Sequence, residues 1–264
     1  MIDIGVNLTN ARFDKDRNEV LARAKQANIR AMLVTGTNIE ESKQALSLSQ
    51  QYPDYLYCTA GIHPHDADNA KDNYIEELQR LASNPSVKAI GECGLDFNRN
   101  FSTPDNQKRV FSEQVALAQQ LNLPLFLHQR DAFQAWFDIL TPYIGRVPAL
   151  VSHCFTGSKE ELLQCLDAGM YIGITGWLCD ERRGQELRDI VPLIPLNKLM
   201  LETDAPYLTP RNIRPKPKSS RNEPSYLPYV VSMLAKLLAC SEDDVIKQTQ
   251  LNSEKVFNLR AKNA

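Results

Sequence analysis

The sequence predicts an α/β fold in which eight strands alternate with helices to form a TIM (β/α)8 barrel. Eight short apolar runs recur along the 264 residues at a spacing of about 28, and one strand, one helix and two loops need about 30 residues. The runs are continuously apolar, as strands buried on both faces are. No glycine-rich phosphate loop follows the first run, which disfavours the alternative, a doubly wound open sheet.

Helix start signals separate these runs. Thr103-Pro104 is an N-cap with proline at the first helical position, Ser158 and Glu161 form a capping box, and Ser241 is expected to cap the second of two helices over 224–259. No linker or repeat interrupts the pattern, so one domain over residues 1–264 is expected. The predicted strands span residues 2–7, 30–35, 55–61, 87–92, 123–128, 147–153, 169–174 and 198–204.

The composition excludes several classes of protein. Lys and Arg number 30 against 32 Asp and Glu, which argues against coating nucleic acid by bulk positive charge but allows a local phosphate-binding patch. No run approaches the roughly 18 apolar residues of a membrane span, and the first residues lack a signal-peptide pattern. Six cysteines without a C-x-x-C pair indicate reduced thiols and a cytoplasmic location. With no coiled-coil pattern, a monomer is expected.

All four histidines of the chain lie at or just past the carboxyl ends of predicted strands, and two carboxylates close strands in the same way. Since these ends meet at one mouth of a barrel, the six side chains are expected to converge. Histidine and carboxylate in one cleft are the ligands of a divalent metal. Taken alone, each residue is better explained as a strand cap or a core histidine; the six together favour the metal site. The six are His63, His65, Glu92, His128, His153 and Asp204.

Glu202 shares the face of its predicted strand with Met200 and Asp204. It would lie one layer deeper than Asp204 and act as the partner of a metal ligand. The alternative, in which Glu202 caps a loop from outside the barrel, stays open.

A basic, proline-stiffened segment follows Asp204. Four prolines keep it extended, and all of its charged residues are basic, which suits a single-stranded nucleic acid. The alternative is a solvated surface loop. Arg99 and Arg130 are expected to hold phosphate or to pair with neighbouring aspartates, and Trp177 and Tyr207 to stack on bases or to pack locally. The basic residues of the segment are Arg211, Arg214, Lys216, Lys218 and Arg221.

Five motifs carry a resemblance to a known family. They resemble the TatD family of metal-dependent deoxyribonucleases, whose members are TIM barrels of the amidohydrolase type. The run over 173–184 narrows the resemblance to the subgroup after which the family is named. The motifs are Gly61-Ile62-His63-Pro64-His65, Gly91-Glu92-Cys93-Gly94-Leu95-Asp96, His128-Gln129-Arg130-Asp131, His153-Cys154-Phe155-Thr156-Gly157 and Glu202-Thr203-Asp204-Ala205-Pro206-Tyr207-Leu208.

The resemblance implies a function and a set of roles. Single-stranded DNA would be hydrolysed in the 3′→5′ exonuclease direction with Mg²⁺; RNA is the alternative substrate, and Mn²⁺ and Zn²⁺ are the alternative ions. Asp204 is expected to be the general base, with Glu92 and His63 as further catalytic residues. The implied metal ligands are Glu92, His128, His153 and Asp204. The expected substrate-binding residues are His63, His65, Arg99, Arg130, Arg211, Arg214, Lys216 and Arg221.

One departure concerns the first strand. Most of the family has Asp-x-His-x-His there, whereas this chain has Asp3-Ile4-Gly5-Val6-Asn7. Asn7 is left as a possible weak metal contact. The loss of two imidazoles favours Mg²⁺ or Mn²⁺ over Zn²⁺ and leaves open whether one ion or two are bound. Two other functions stay open: hydrolysis of a small amide, ester or lactone, and a non-catalytic barrel with a degraded metal site.

Overall fold

A computed structural model describes residues 1–259 and places eight parallel strands side by side in sequence order. Each strand pairs with the next one along the chain, which confirms the predicted barrel order. The strands are β1 (Ile2–Val6), β2 (Ala31–Val34), β3 (Leu56–Ala60), β4 (Val87–Asp96), β5 (Leu125–Arg130), β6 (Leu150–Ser152), β7 (Tyr171–Ile174) and β8 (Leu199–Leu201).

The helices lie between the strands, and the predicted start signals are confirmed. The fourth helix begins at Pro104, the capping box of Ser158 and Glu161 opens the sixth, and Ser241 caps the last. Within residues 1–259 the α-helices are α1 (Arg17–Gln26), α2 (Ile39–Gln51), α3 (Tyr74–Ala82), α4 (Pro104–Leu121), α5 (Phe133–Leu140), α6 (Lys159–Asp167), α7 (Gln185–Ile190), α8 (Leu227–Leu238) and α9 (Glu242–Phe257).

The ring is completed between β1 and the segment that follows β8. The fully buried carboxylate of Asp3 accepts hydrogen bonds from the backbone N–H of Thr203 at 2.9 Å and from its hydroxyl at 2.6 Å. The backbone N–H of Asp204 donates to Gly5 O at 2.8 Å. The predicted strand 198–204 is therefore too long, because Thr203 bonds to a side chain of β1 instead of extending the backbone ladder.

The apolar core has two parts, and one of them ends directly below the carboxyl ends of the strands. Alternate residues of the strands, such as Ile4, Leu33 and Met200, fill the inside of the barrel. Phe126 belongs to this inner cluster and packs against the ring of His153, with 4.8 Å between the centroids. A larger cluster fills the space between strands and helices. Apolar side chains of the inner cluster thus pack beneath the barrel mouth.

None of the helices within residues 1–259 is both long and apolar enough to cross a membrane. The assignment of the chain to one domain stays a prediction, as do the monomeric state and the cytoplasmic location. Residues 260–264 of the predicted domain lie outside the described residues.

Candidate metal centre

The structure brings all six predicted histidines and carboxylates to one cavity at the carboxyl ends of the strands. The cavity has a volume of about 670 Å³. Parallel strands of a barrel point their carboxyl ends at the same mouth, which is why residues far apart in the sequence meet here. The six predicted residues among those that line it are His63, His65, Glu92, His128, His153 and Asp204.

Glu92 lies at the centre of three imidazoles. Its Oε1 atom is 2.9 Å from His128 Nδ1, 3.0 Å from His153 Nε2 and 3.3 Å from His63 Nε2. Burial opposes the charge on Glu92, but the surrounding histidines outweigh it and hold its pKa well below the ordinary value. Burial lowers the pKa of His63 to about 4. Glu92 therefore supplies a buried negative charge ringed by nitrogen donors.

The donor set fits a divalent cation. Ligand atoms of His63, Glu92 and His128 all lie within 4.8 Å of one another. Nε2 of His128 is buried, has no hydrogen-bond partner within residues 1–259, and lies 3.6 Å from the nearer oxygen of Asp96. A buried nitrogen left unpaired is costly, and a bound cation would satisfy it. This cluster adds His63 to the ligands implied by the sequence.

Glu202 holds His153 from below. It is fully buried, its Oε2 accepts a hydrogen bond from His153 Nδ1 at 2.8 Å, and its Oε1 accepts one from the backbone N–H of Cys154. Burial disfavours the charge on His153, but Glu202 and Glu92 raise its pKa well above the ordinary value. Glu202 is thus an internal partner of His153 and not an external cap. With Nδ1 bonded to Glu202, Nε2 faces Glu92 at 3.0 Å, and metal-binding histidines commonly bond their other nitrogen to a carboxylate in this way.

Two glycines make room for Glu202. A Cβ atom at Gly5 would lie 2.6 Å from Glu202 Oε2, and one at Gly173 would also meet this carboxylate. Real Cβ atoms do not approach so closely. The carboxylate of Glu202 therefore occupies the space in front of position 5, where most of the resembling family carries a histidine.

Asp204 and Asn7 meet across the seam between β1 and β8. Asn7 Nδ2 donates to Asp204 Oδ1 at 3.0 Å. Burial, reinforced by the charges of Glu92 and Glu202, raises the pKa of Asp204 to about 7. Asn7 thus orients the carboxylate of Asp204 through its amide group, and it lines the same cavity.

Asp96 is a site residue that was not predicted from the sequence. It is 3% exposed, its Oδ2 lies 2.6 Å from His65 Nε2, and its Oδ1 accepts a hydrogen bond from the backbone N–H of Arg99. Burial opposes its ionisation, but the nearby imidazoles of His128 and His65 lower its pKa below the ordinary value. The predicted strand 87–92 was too short: β4 continues to Asp96, which shares a face with Glu92 because side chains alternate along a strand.

Arginines and aromatic rings form the rim of the cavity. Arg99 and Arg130 line it as expected, together with Arg183, which was not predicted. Phe101 and Tyr207 stand at the rim with 63% and 49% of their surface exposed, and Trp177 is half-buried beside them. Exposed aromatic rings next to cations are typical of surfaces that bind single-stranded nucleic acid.

The basic segment after Asp204 is arranged differently from the rim. Arg211 lies 3.2 Å from the carboxylate of Asp180, and Arg221 makes two 2.7 Å hydrogen bonds to Asp16. Both guanidinium groups are thus held by aspartates, and neither lines the cavity. The residues of the predicted substrate-binding set that do not line the cavity are Arg211, Arg214, Lys216 and Arg221.

Comparison with known proteins identifies what the chain is similar to. It matches the family described as TatD related DNase over residues 2–258. A protein of Pectobacterium carotovorum named 3′-5′ ssDNA/RNA exonuclease TatD is 54% identical over 259 residues, which cover 98% of this chain and 100% of the relative. The resemblance noted in the sequence is thereby confirmed.

Solved structures support the same fold. A TatD family hydrolase from Entamoeba histolytica has a TM-score of 0.90 at 26% identity, with 98% of each chain covered. An uncharacterized amidohydrolase from Saccharomyces cerevisiae has a TM-score of 0.84 at 25% identity, covering 97% of this chain and 99% of that one. The prediction of an amidohydrolase-like barrel is confirmed.

Proposed function

Since the chain belongs to the family of TatD-related DNases, we propose that it is a metal-dependent nuclease that removes nucleotides from the 3′ end of single-stranded DNA, with RNA as a second substrate. The observation that carries the proposal is Glu92 with three imidazole nitrogens within 3.3 Å of one oxygen. This cluster lies in a cavity rimmed by arginines and exposed aromatic rings. Such a rim suits the phosphates and bases of one strand.

The residues of the site have different roles in the proposed reaction. Glu92, His128, His153 and Asp204 would hold the ion, with His63 beside them. The two carboxylates of this set suit Mg²⁺ or Mn²⁺, and its three imidazoles suit Zn²⁺ as the alternative. A divalent ion held there lowers the pKa of water and offsets negative charge on a phosphodiester. Asp204 accepts the proton of the attacking water. Glu202 holds Nδ1 of His153, so that Nε2 is the nitrogen that would bind the ion once it gives up its proton.

The remaining lining residues bind and orient the strand. Arg99 and Arg130 donate to phosphate oxygens, as guanidinium groups do bidentately. His63 and His65 position the scissile phosphate, and Asp96 fixes the imidazole of His65 through the 2.6 Å contact. None of these roles requires the basic residues of the segment after Asp204.

The test follows the cleavage of a single-stranded DNA oligonucleotide labelled at either end. We expect a ladder that shortens from the 3′ end with Mg²⁺ or Mn²⁺, disappears with EDTA and is lost in Asp204→Asn. Asp138→Asn is the matched control, because it makes the same chemical change on the exposed face of α5. Folding of each variant is checked by circular dichroism.

Two outcomes would contradict the proposal. Normal cleavage by a folded Asp204→Asn would remove Asp204 from the reaction. No cleavage of DNA or RNA with any of these ions, from folded wild-type protein, would overturn the nuclease assignment and favour hydrolysis of a small amide, ester or lactone by the same cluster.

A further inference from the structure

A second cavity adjoins the metal cavity behind the loops that follow β5, β6 and β7. Its volume is about 320 Å³, near the lower end of the roughly 300–1,000 Å³ of small-molecule sites. Because residues from the end of β5 and from the loops after β6 and β7 line both cavities, a ligand that enters the metal cavity can extend into the second. The shared residues are Gln129, Arg130, Thr156, Trp177 and Arg183.

Trp177 carries two guanidinium groups over its ring. The Cζ atom of Arg183 lies 4.3 Å from the ring centroid and that of Arg130 lies 5.6 Å from it. A guanidinium plane accepts a stacked base as an aromatic ring does. Arg183 thus extends the stacking surface of Trp177, and this pairing of ring and cation holds bases of a single strand without reading their sequence.

The wall that carries Trp177 and Arg183 is held in place by its own hydrogen bonds. Asp180 is 3% exposed, and its Oδ2 accepts a hydrogen bond from Arg183 Nε at 3.0 Å. The hydroxyl of Thr175 accepts one from the backbone N–H of Trp177 at 3.2 Å. Since these contacts already order the wall, little conformational freedom is left to lose when a ligand binds.

The charges around the second cavity favour a base over a phosphate. Asp131, Glu161 and Glu186 line it together with Arg130 and Arg183, so the acidic groups outnumber the cations. A phosphate would meet these carboxylates, whereas a neutral planar base would not. Hydrogen-bonding groups of Gln129 and Thr156 also line the wall and can meet the polar edge of a base.

On the premise of the nuclease function proposed above, we propose that this cavity is a base-binding subsite. It takes one base of the DNA strand near the scissile phosphodiester, stacked on Trp177 and Arg183. The remaining nucleotides of the bound segment lie in the metal cavity. The subsite makes binding depend on the presence of a base at that one position but not on its identity.

An abasic scan tests the subsite. Oligonucleotides carrying one abasic residue at successive positions from the 3′ end are cleaved with Mg²⁺, and only the first cleavage is timed. In wild type we expect one position at which loss of the base raises KM by about 5- to 150-fold, the range of one base–aromatic stack. In Trp177→Leu and in Arg183→Ala that position should lose its influence, because the missing base has nothing left to stack on.

Two matched variants control the scan. Arg182→Ala removes the same charge one residue away, from a side chain that is 64% exposed and lines neither cavity, and should keep the wild-type profile. Trp177→Phe keeps an aromatic ring and should keep the position. A second signal comes from fluorescence, because Trp136, the other tryptophan, is fully buried, so quenching by an intact oligonucleotide in EDTA would report Trp177.

The outcomes separate the subsite from the function on which it depends. A flat abasic profile in active wild type, or a profile that survives unchanged in Trp177→Leu and Arg183→Ala, overturns the subsite and leaves the nuclease function intact. Absence of cleavage in wild type overturns the nuclease function and the subsite with it. If Arg182→Ala abolished the dependence on base position as fully as Arg183→Ala, the effect would arise from general positive charge, and the subsite would be overturned.

Discussion

Replacing Glu202 by glutamine tests whether this buried carboxylate sets the proton position on His153. In the native structure both oxygens of Glu202 accept hydrogen bonds, one from His153 Nδ1 and one from Cys154 N–H. Glutamine has one acceptor oxygen and one NH₂ group. If the oxygen keeps the bond to Cys154, the NH₂ faces Nδ1, which must then accept a hydrogen bond. A proton is then held on Nε2 of His153, where it points at Glu92 and blocks the nitrogen proposed to bind metal.

The structure sets the size of this effect. One hydrogen bond to a charged group is lost, which is worth about 1.5–3 kcal/mol. Loss of such a partner behind a metal-binding histidine typically lowers metal affinity or activity by about 10- to 100-fold, and the two ranges agree. We therefore expect Glu202→Gln to bind Mn²⁺ about 10- to 100-fold more weakly than wild type.

Metal affinity is measured by isothermal titration with Mn²⁺, and the Mg²⁺ concentration for half-maximal cleavage gives a second value. Glu160→Gln, on the exposed face of α6, is the matched control for loss of one negative charge. Excess Mn²⁺ should recover part of the activity of Glu202→Gln. A folded Glu202→Gln with wild-type metal affinity would refute the reasoning, since His153 would then not depend on this carboxylate.

Three further predictions concern the frame around the site. Gly5→Ala should lower the free energy of unfolding by about 1–3 kcal/mol through overpacking against Glu202, and an unchanged melting temperature would show that the carboxylate moves freely. Arg221→Ala should lower the melting temperature but leave the slope of log KM against log salt unchanged, whereas a lost phosphate contact would reduce that slope by about 1. The hydrogen bond from Arg221 lowers the pKa of Asp16 to about 2. The ion pair therefore stabilises the folded protein fully above the unfolded pKa of about 3.9, and this stabilisation is lost as the pH falls towards 2. The difference in melting temperature between wild type and Asp16→Asn should shrink over that window, and a constant difference would contradict the ion pair.

The strand order could be predicted from the sequence because each buried parallel strand is a continuous apolar run. Strand ends were harder to place. Glu202 and Asp204 follow the alternation of a strand, yet Thr203 bonds to the side chain of Asp3, a contact between residues 200 positions apart that no local pattern encodes. The prediction for β4 was too short instead. The predicted strand ended at the polar residue Glu92, whereas β4 continues to Asp96.

The same limit explains the site. Histidines and carboxylates at strand ends could be identified because a barrel brings those ends together. The partners of surface arginines could not: Arg211 and Arg221 lie in one basic segment, yet each pairs with an aspartate from another part of the chain. Arg183 lines the cavity and is bonded to Asp180, three residues earlier, which the charge pattern did not indicate.

The seam between β1 and β8 affects the order in which the protein can fold during synthesis. Asp3 and Asn7 find their partners on Thr203 and Asp204, 200 and 197 residues later. Until the ribosome has made those residues, one edge of the first strand has no neighbour, and an unpaired edge invites pairing with other chains. Contacts of such long sequence separation also form slowly. Ribosome-bound chains should therefore gain protease resistance abruptly, only once the segment around Ala205 has left the exit tunnel.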